Sequence, residues 1–128
     1  MKAATTSTLK KELSTLPPEE VLKICMQLVK YKKENKELLH YLLFEAYDEQ
    51  GYIDSIKKEI DGQFREINTN HLYFAKKSIR KILKITNKYI RYSGKKRTEV
   101  DLLIYFCTKL KKSSISIRSS AEIGRAHV

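Results

Sequence analysis

Asn70–Arg97 reads NHLYFAKKSIRKILKITNKYIRYSGKKR, a run holding ten Lys/Arg and no Asp or Glu. Stepping about 100° per residue from Leu72 gathers Leu72, Ala75, Ile79, Ile82, Leu83, Thr86, Tyr89 and Ile90 on one side. Lys77, Arg80, Lys81, Lys84, Lys88 and Arg91 gather on the other. The pattern predicts an amphipathic helix with an apolar inner face and a cationic outer one. This run carries +10 of the chain's formal net charge of +11.

The segment before it is acidic. Residues 48 to 69 sum to −3, and Ile53, Ile56, Ile60, Phe64 and Ile67 recur at helical spacing. Antiparallel packing of this helix on the basic one would neutralise part of both. Asn68, Thr69 and Asn70 supply turn and cap residues between the two. After the basic run, Gly94 predicts a stop, and Thr98 with Asp101 resembles a capping box. Val100, Leu102, Leu103, Ile104, Tyr105, Phe106 and Leu110 make the next helix apolar nearly all round, which predicts a central and most buried position.

Toward the N-terminus, residues 1–6 are small and polar and read as disordered. A short helix is expected from about Ser7 to Thr15, and Pro17-Pro18-Glu19-Glu20 reads as the start of a second, with Val21, Leu22, Cys25, Leu28 and Val29 on one side. The charged segment Lys30–Glu37 marks a turn or solvated junction. Leu38, Leu39, Leu42, Leu43 and Ala46 predict a third helix buried on a wide face, with Gly51 offering a left-handed cap.

With four Gly and two Pro in 128 residues, hairpin signals are scarce. The expected fold class is all-α: a single antiparallel bundle of five or six helices over residues 7–112, or a short α-solenoid of helix pairs. Residues 113–128 lack helical period and read as a disordered or artefactual tail. Within it, 123–128 (IGRAHV) can be spelled ATC GGA AGA GCA CAC GTC, which resembles a sequencing-library adapter and suggests read-through. The longest apolar run, Leu102–Cys107, falls far short of the ~18 residues of a transmembrane helix, and the N-terminus has no secretory pattern. These features predict a cytoplasmic protein, and Cys25 and Cys107 are expected to be buried and reduced.

Catalytic chemistry finds little support. Glu37-Leu38-Leu39-His40 has the Glu-x-x-His spacing of di-iron bundles, but no second copy accompanies it. Asp48–Asp54 brushes against a calcium loop, yet the alignment puts Ala46 and Lys57 at ligand positions. Phosphate-loop, zincin and nucleophile-elbow patterns are absent. The expectation is a non-enzyme without metal or cofactor. Lys77, Arg80, Lys81, Lys84, Lys88 and Arg91, with Tyr73 and Tyr92 at the edges of their face, form the candidate contact set for nucleic acid or another polyanion. An acidic protein partner is also compatible with them. The alternative is a protein–protein adaptor whose basic face is merely solvated.

The runs LPPEEVLKICMQLVKYKKENKELLHYLLFEAYDEQGYI (16–53) and ITNKYIRYSGKKRTEVDLLIYFC (85–107) are similar to an uncharacterised bacterial family of small helical proteins. The resemblance spans about residues 9–112. It implies an all-helical, cytoplasmic protein and brings no activity, cofactor or site residue.

Overall fold

The computed structural model describes the backbone of residues 1–126 and the side chains of residues 1–113. It is all-α among the described residues. The helices are α1 (Thr6–Ser14), α2 (Pro18–Tyr31), α3 (Lys33–His40), α4 (Glu49–Arg65), α5 (Leu72–Ser93) and α6 (Lys96–Ala126), with a π turn at Tyr41–Glu45 after α3. Where the pattern predicts one domain over 7–112, the chain divides into two compact units, Met1–Leu43 and Phe44–Val128.

In the first unit, Thr5 caps α1 by accepting from the Thr8 amide at 3.2 Å. Thr5 and Thr6, within the stretch expected to be disordered, thus form a capped helix start, while residues 1–4 adopt no regular structure. α2 opens on Pro18 with Glu19 and Glu20 in its first turn, where a missing N–H is harmless and carboxylates meet the positive end of the dipole. Lys32 is extended (φ −141, ψ 143) and separates α2 from α3. The Asn35 side chain donates to the Leu28 carbonyl at 2.6 Å across that break.

No residue from Met1 to His40 is buried. The wide buried face expected of the third helix is absent, since Leu42 and Leu43 are 57% and 60% exposed. Helices of 9, 14 and 8 residues, each with one narrow apolar stripe, are too small to enclose an interior.

The second unit has a core. Ile53, Ile56 and Ile60 of α4, Ala75, Ile82 and Ile90 of α5, and Leu102 and Phe106 of α6 are buried together with Ile67. Each large apolar side chain removed from water contributes about 1.5–3 kcal/mol. The rings of Phe64 and Phe106 meet at 5.7 Å, tilted by 50°.

Cross-contacts give the helix directions. Glu49 and Tyr52, early in α4, bond Ser93 and the Tyr89 carbonyl late in α5. Lys57 and Asp61 pair with Asp101 and Lys109 along α6. α4 and α5 are therefore antiparallel, while α4 and α6 run the same way. All three helices touch one another, which makes this unit an up-down-up bundle rather than a solenoid, whose repeats meet only in sequence.

Three local expectations need correction. Gly51 lies inside α4, where its amide donates to the Asp48 cap at 3.0 Å; a Cβ there would come within 2.9 Å of Asp48 Cγ. Thr98 makes no capping box: α6 has already begun at Lys96, and the fully buried Thr98 hydroxyl donates to Glu49. α6 is not central either. Leu102 and Phe106 face the core, while Val100 and Ile104 are 53% and 61% exposed. Cys107 lies in that exposed register and Cys25 is half-buried; both are free thiols. The backbone of the tail expected to be disordered over 113–128 continues α6 as far as Ala126, while the adapter reading of 123–128 concerns residues whose side chains lie outside the described ones.

Candidate nucleic-acid interface

α5 is unbroken over 22 residues. At its end Gly94 takes a left-handed conformation (φ 67) and its amide donates to the Ile90 carbonyl at 2.9 Å, the role expected of a C-terminal glycine. Ala75, Ile82, Thr86 and Ile90 fix the inward face. The buried Thr86 hydroxyl is satisfied by the Ile82 carbonyl at 2.8 Å.

With that face anchored, the opposite one must point outward. Lys77, Arg80, Lys81, Lys84 and Arg91 are exposed, and among the described residues they form no ion pair. Lys88 is half-buried, its ammonium 5.2 Å from the centre of the Tyr89 ring. Lys81 stands at the α4 edge, lining a cleft with Gln63, Glu66 and Ser78.

Neutralisation of the basic run by the acidic helix is slight among the described residues: Glu49 lies near Lys95 just past the end of α5, while Asp61 pairs with α6 and Glu59 accepts from a tyrosine hydroxyl. Asp61 accepts from Tyr105 Oη at 2.5 Å and pairs with Lys109 at 3.0 Å. Burial pushes the Asp61 carboxyl up. Those two hydrogen bonds, with the positive charges of Lys109 and Arg65, outweigh the burial and hold it below its ordinary 3.8. Burial and the Asp61 carboxylate together raise the Tyr105 phenol above 10.0. Glu59 accepts from Tyr89 Oη at 3.0 Å.

Glu49 has its side chain only 9% exposed. It accepts from Ser93 Oγ at 2.5 Å and from the Thr98 hydroxyl, and lies 3.8 Å from Lys95 Nζ. Lys96 pairs with Glu99 at 3.4 Å and Arg97 donates to Gln50. The basic run thus divides: Lys95, Lys96 and Arg97 serve the junction between α5 and α6, and Lys77, Arg80, Lys81, Lys84 and Arg91 remain in solvent.

The two tyrosines proposed for this face part company. Tyr73 is 67% exposed and shares the cationic stripe, for Tyr73, Lys77, Arg80, Lys84, Lys88 and Arg91 recur at steps of four, three, four, four and three. Tyr92 is half-buried, its hydroxyl enclosed and its ring edge-on to Tyr89 at 6.1 Å, so it offers less ring surface than the exposed Tyr73. Phe74 was missed in the sequence. It is 55% exposed, with its ring edge-on to Tyr73 at 5.3 Å and to His71 at 5.8 Å. Its position three residues before Lys77 was the available signal.

Among the described residues no three His, Cys, Asp or Glu side chains converge to hold a metal ion. No helix there is long and apolar enough to cross a membrane. Comparison with known protein families, with curated proteins and with solved structures returns no match for this chain.

Proposed function

We propose that the protein is a non-catalytic helical module that binds nucleic acid through the cationic face of α5. The observation carrying this reading is that Lys77, Arg80, Lys81, Lys84 and Arg91 are exposed and without an ion pair among the described residues, although an acidic helix packs beside them. Such a row binds phosphates mainly by releasing their condensed counterions, so affinity falls steeply with salt. A cytoplasmic setting belongs to the same reading.

Fluorescence anisotropy of a labelled oligonucleotide at low salt tests it. Reversal of two central charges, Arg80→Glu with Lys84→Glu, is expected to weaken binding at least tenfold. Unchanged affinity in that variant would remove the face from the account.

A second reading, a protein–protein adaptor, draws on a different surface. Val100, Ile104 and Cys107 form an exposed stripe on α6, and exposed apolar stripes are often contact surfaces. Recovery of one stoichiometric protein from nuclease-treated lysate, abolished by Ile104→Glu and indifferent to the α5 charges, would favour this reading.

A further inference from the structure

We infer that the strand bound by α5 is single, with Tyr73 and Phe74 acting as a stacking platform for bases at the N-terminal end of the cationic row. The inference rests on the proposed nucleic-acid reading and names its substrate class.

Tyr73 and Phe74 are both large aromatic residues, 67% and 55% exposed, in the first turn of a helix whose core-facing residues are fully accounted for. Their rings meet edge to face at 5.3 Å with an interplanar angle of 77°, a contact that covers at most one face of one ring. Each retains a π-face for a ligand. Tyr73 is the first member of the stripe that continues through Lys77, Arg80, Lys84 and Arg91. It sits about one helical turn, ~5.4 Å, before the first cation, within the reach of one nucleotide from phosphate to base.

In a duplex the base faces are already covered by their neighbours, and rings placed here would stay wet. In a single strand every base offers a face, and stacking on an aromatic side chain is strong and tolerant of sequence. From Tyr73 to Arg91 the face is ~27 Å long at ~1.5 Å per residue, enough for a site of several nucleotides.

An anionic lipid surface is the competing ligand for a patch of rings and lysines. It fits less well, because a helix lying in a membrane interface needs its apolar face free, and here Ala75, Ile82 and Ile90 are packed in the core.

The test uses the full chain with labelled dT12, labelled U12, a labelled 12-base-pair duplex, and vesicles of phosphatidylcholine with phosphatidylserine. The double variant Tyr73→Ala, Phe74→Ala is compared with the unaltered chain, with circular dichroism melts as a check on folding. Single strand is expected to bind more tightly than duplex. The variant is expected to lose at least fivefold on single strand at every salt concentration, with no change in salt slope and little change on duplex. Tighter binding of U12 than dT12 would name RNA as the source of the strand, and the reverse DNA; both support the inference.

If the variant binds single strand as tightly as the unaltered chain, or if duplex binds as tightly as single strand, the stacking inference falls while the charge-based function stands. Capture by vesicles with no binding to any oligonucleotide overturns both.

Discussion

Glu49→Ala should damage the bundle out of proportion to the size of the change. The carboxylate is only 9% exposed and accepts the Ser93 hydroxyl at 2.5 Å and the Thr98 hydroxyl, joining α4 to the end of α5 and the start of α6. Hydrogen bonds to a charged group contribute about 1.5–3 kcal/mol each, and a buried hydroxyl left without its partner costs about 1–3 kcal/mol. Thr98 is fully buried and should approach the upper end, whereas Ser93 is half-buried and can partly recover through water. A total loss of ~2–4 kcal/mol follows from these principles.

At a urea m-value near 2 kcal/mol/M, the unfolding midpoint would fall by about 1–2 M. A double-mutant cycle with Thr98→Val separates the bond from general damage. The two changes should be coupled by at least ~1 kcal/mol, because removing both partners spares the penalty of leaving one unpaired. A Glu49→Ala midpoint within experimental error of the parent, or a coupling near zero, would show that Glu49 does not hold the three helices together.

Other consequences concern separate parts of the bundle. Leu102→Ala should cost ~2–5 kcal/mol as a core truncation, while Ile104→Ser two residues on should stay within ~0.5 kcal/mol; equal costs in denaturant titrations would mean that α6 is buried all round after all. Gly94→Ala forces a Cβ into a left-handed position (φ 67) and should lose ~1 kcal/mol, with Gly94→Asn losing less.

The pH dependence follows from Asp61, whose carboxyl is depressed below 3.8 in the fold. A depressed carboxylate stabilises above its unfolded value and loses that contribution as pH falls through the native one. Thermal melts should therefore show a gap between parent and Asp61→Asn that is full at pH 5–7 and closes as the pH drops below 3.8. A gap that is constant with pH would contradict the Asp61–Tyr105–Lys109 assignment.

The helices themselves were legible because their periods are strong. Ile53, Ile56, Ile60 and Phe64 announced α4, and the split of isoleucines and cations announced α5 with its glycine stop. Burial was less legible. Leu38, Leu42 and Leu43 look like core residues in a sequence, yet they lie where no sufficient interior forms, and periodicity reports a face without reporting what covers it. The same limit explains α6, where Val100 and Ile104 read like Leu102 and Phe106.

The candidate site was legible as charge and not as partnership. The acidic character of α4 suggested that it would quench α5. That depended on which helix Asp61 and Glu49 would turn toward, a matter of three-dimensional register. Tyr92 and Phe74 exchanged roles for a related reason: near a helix end, a small rotation decides which aromatic is packed and which is left in water.

If Lys77, Arg80, Lys81, Lys84 and Arg91 hold positive potential that no ion pair among the described residues offsets, the salt dependence of oligonucleotide affinity measures it most directly. With five exposed cations on the face and a slope of about −0.7 per neutralised phosphate on single strands, a plot of log K against log salt should fall with a slope of about −3.5. Arg80→Glu with Lys84→Glu should flatten it by at least one unit. A slope near zero, or one indifferent to those reversals, would contradict the account.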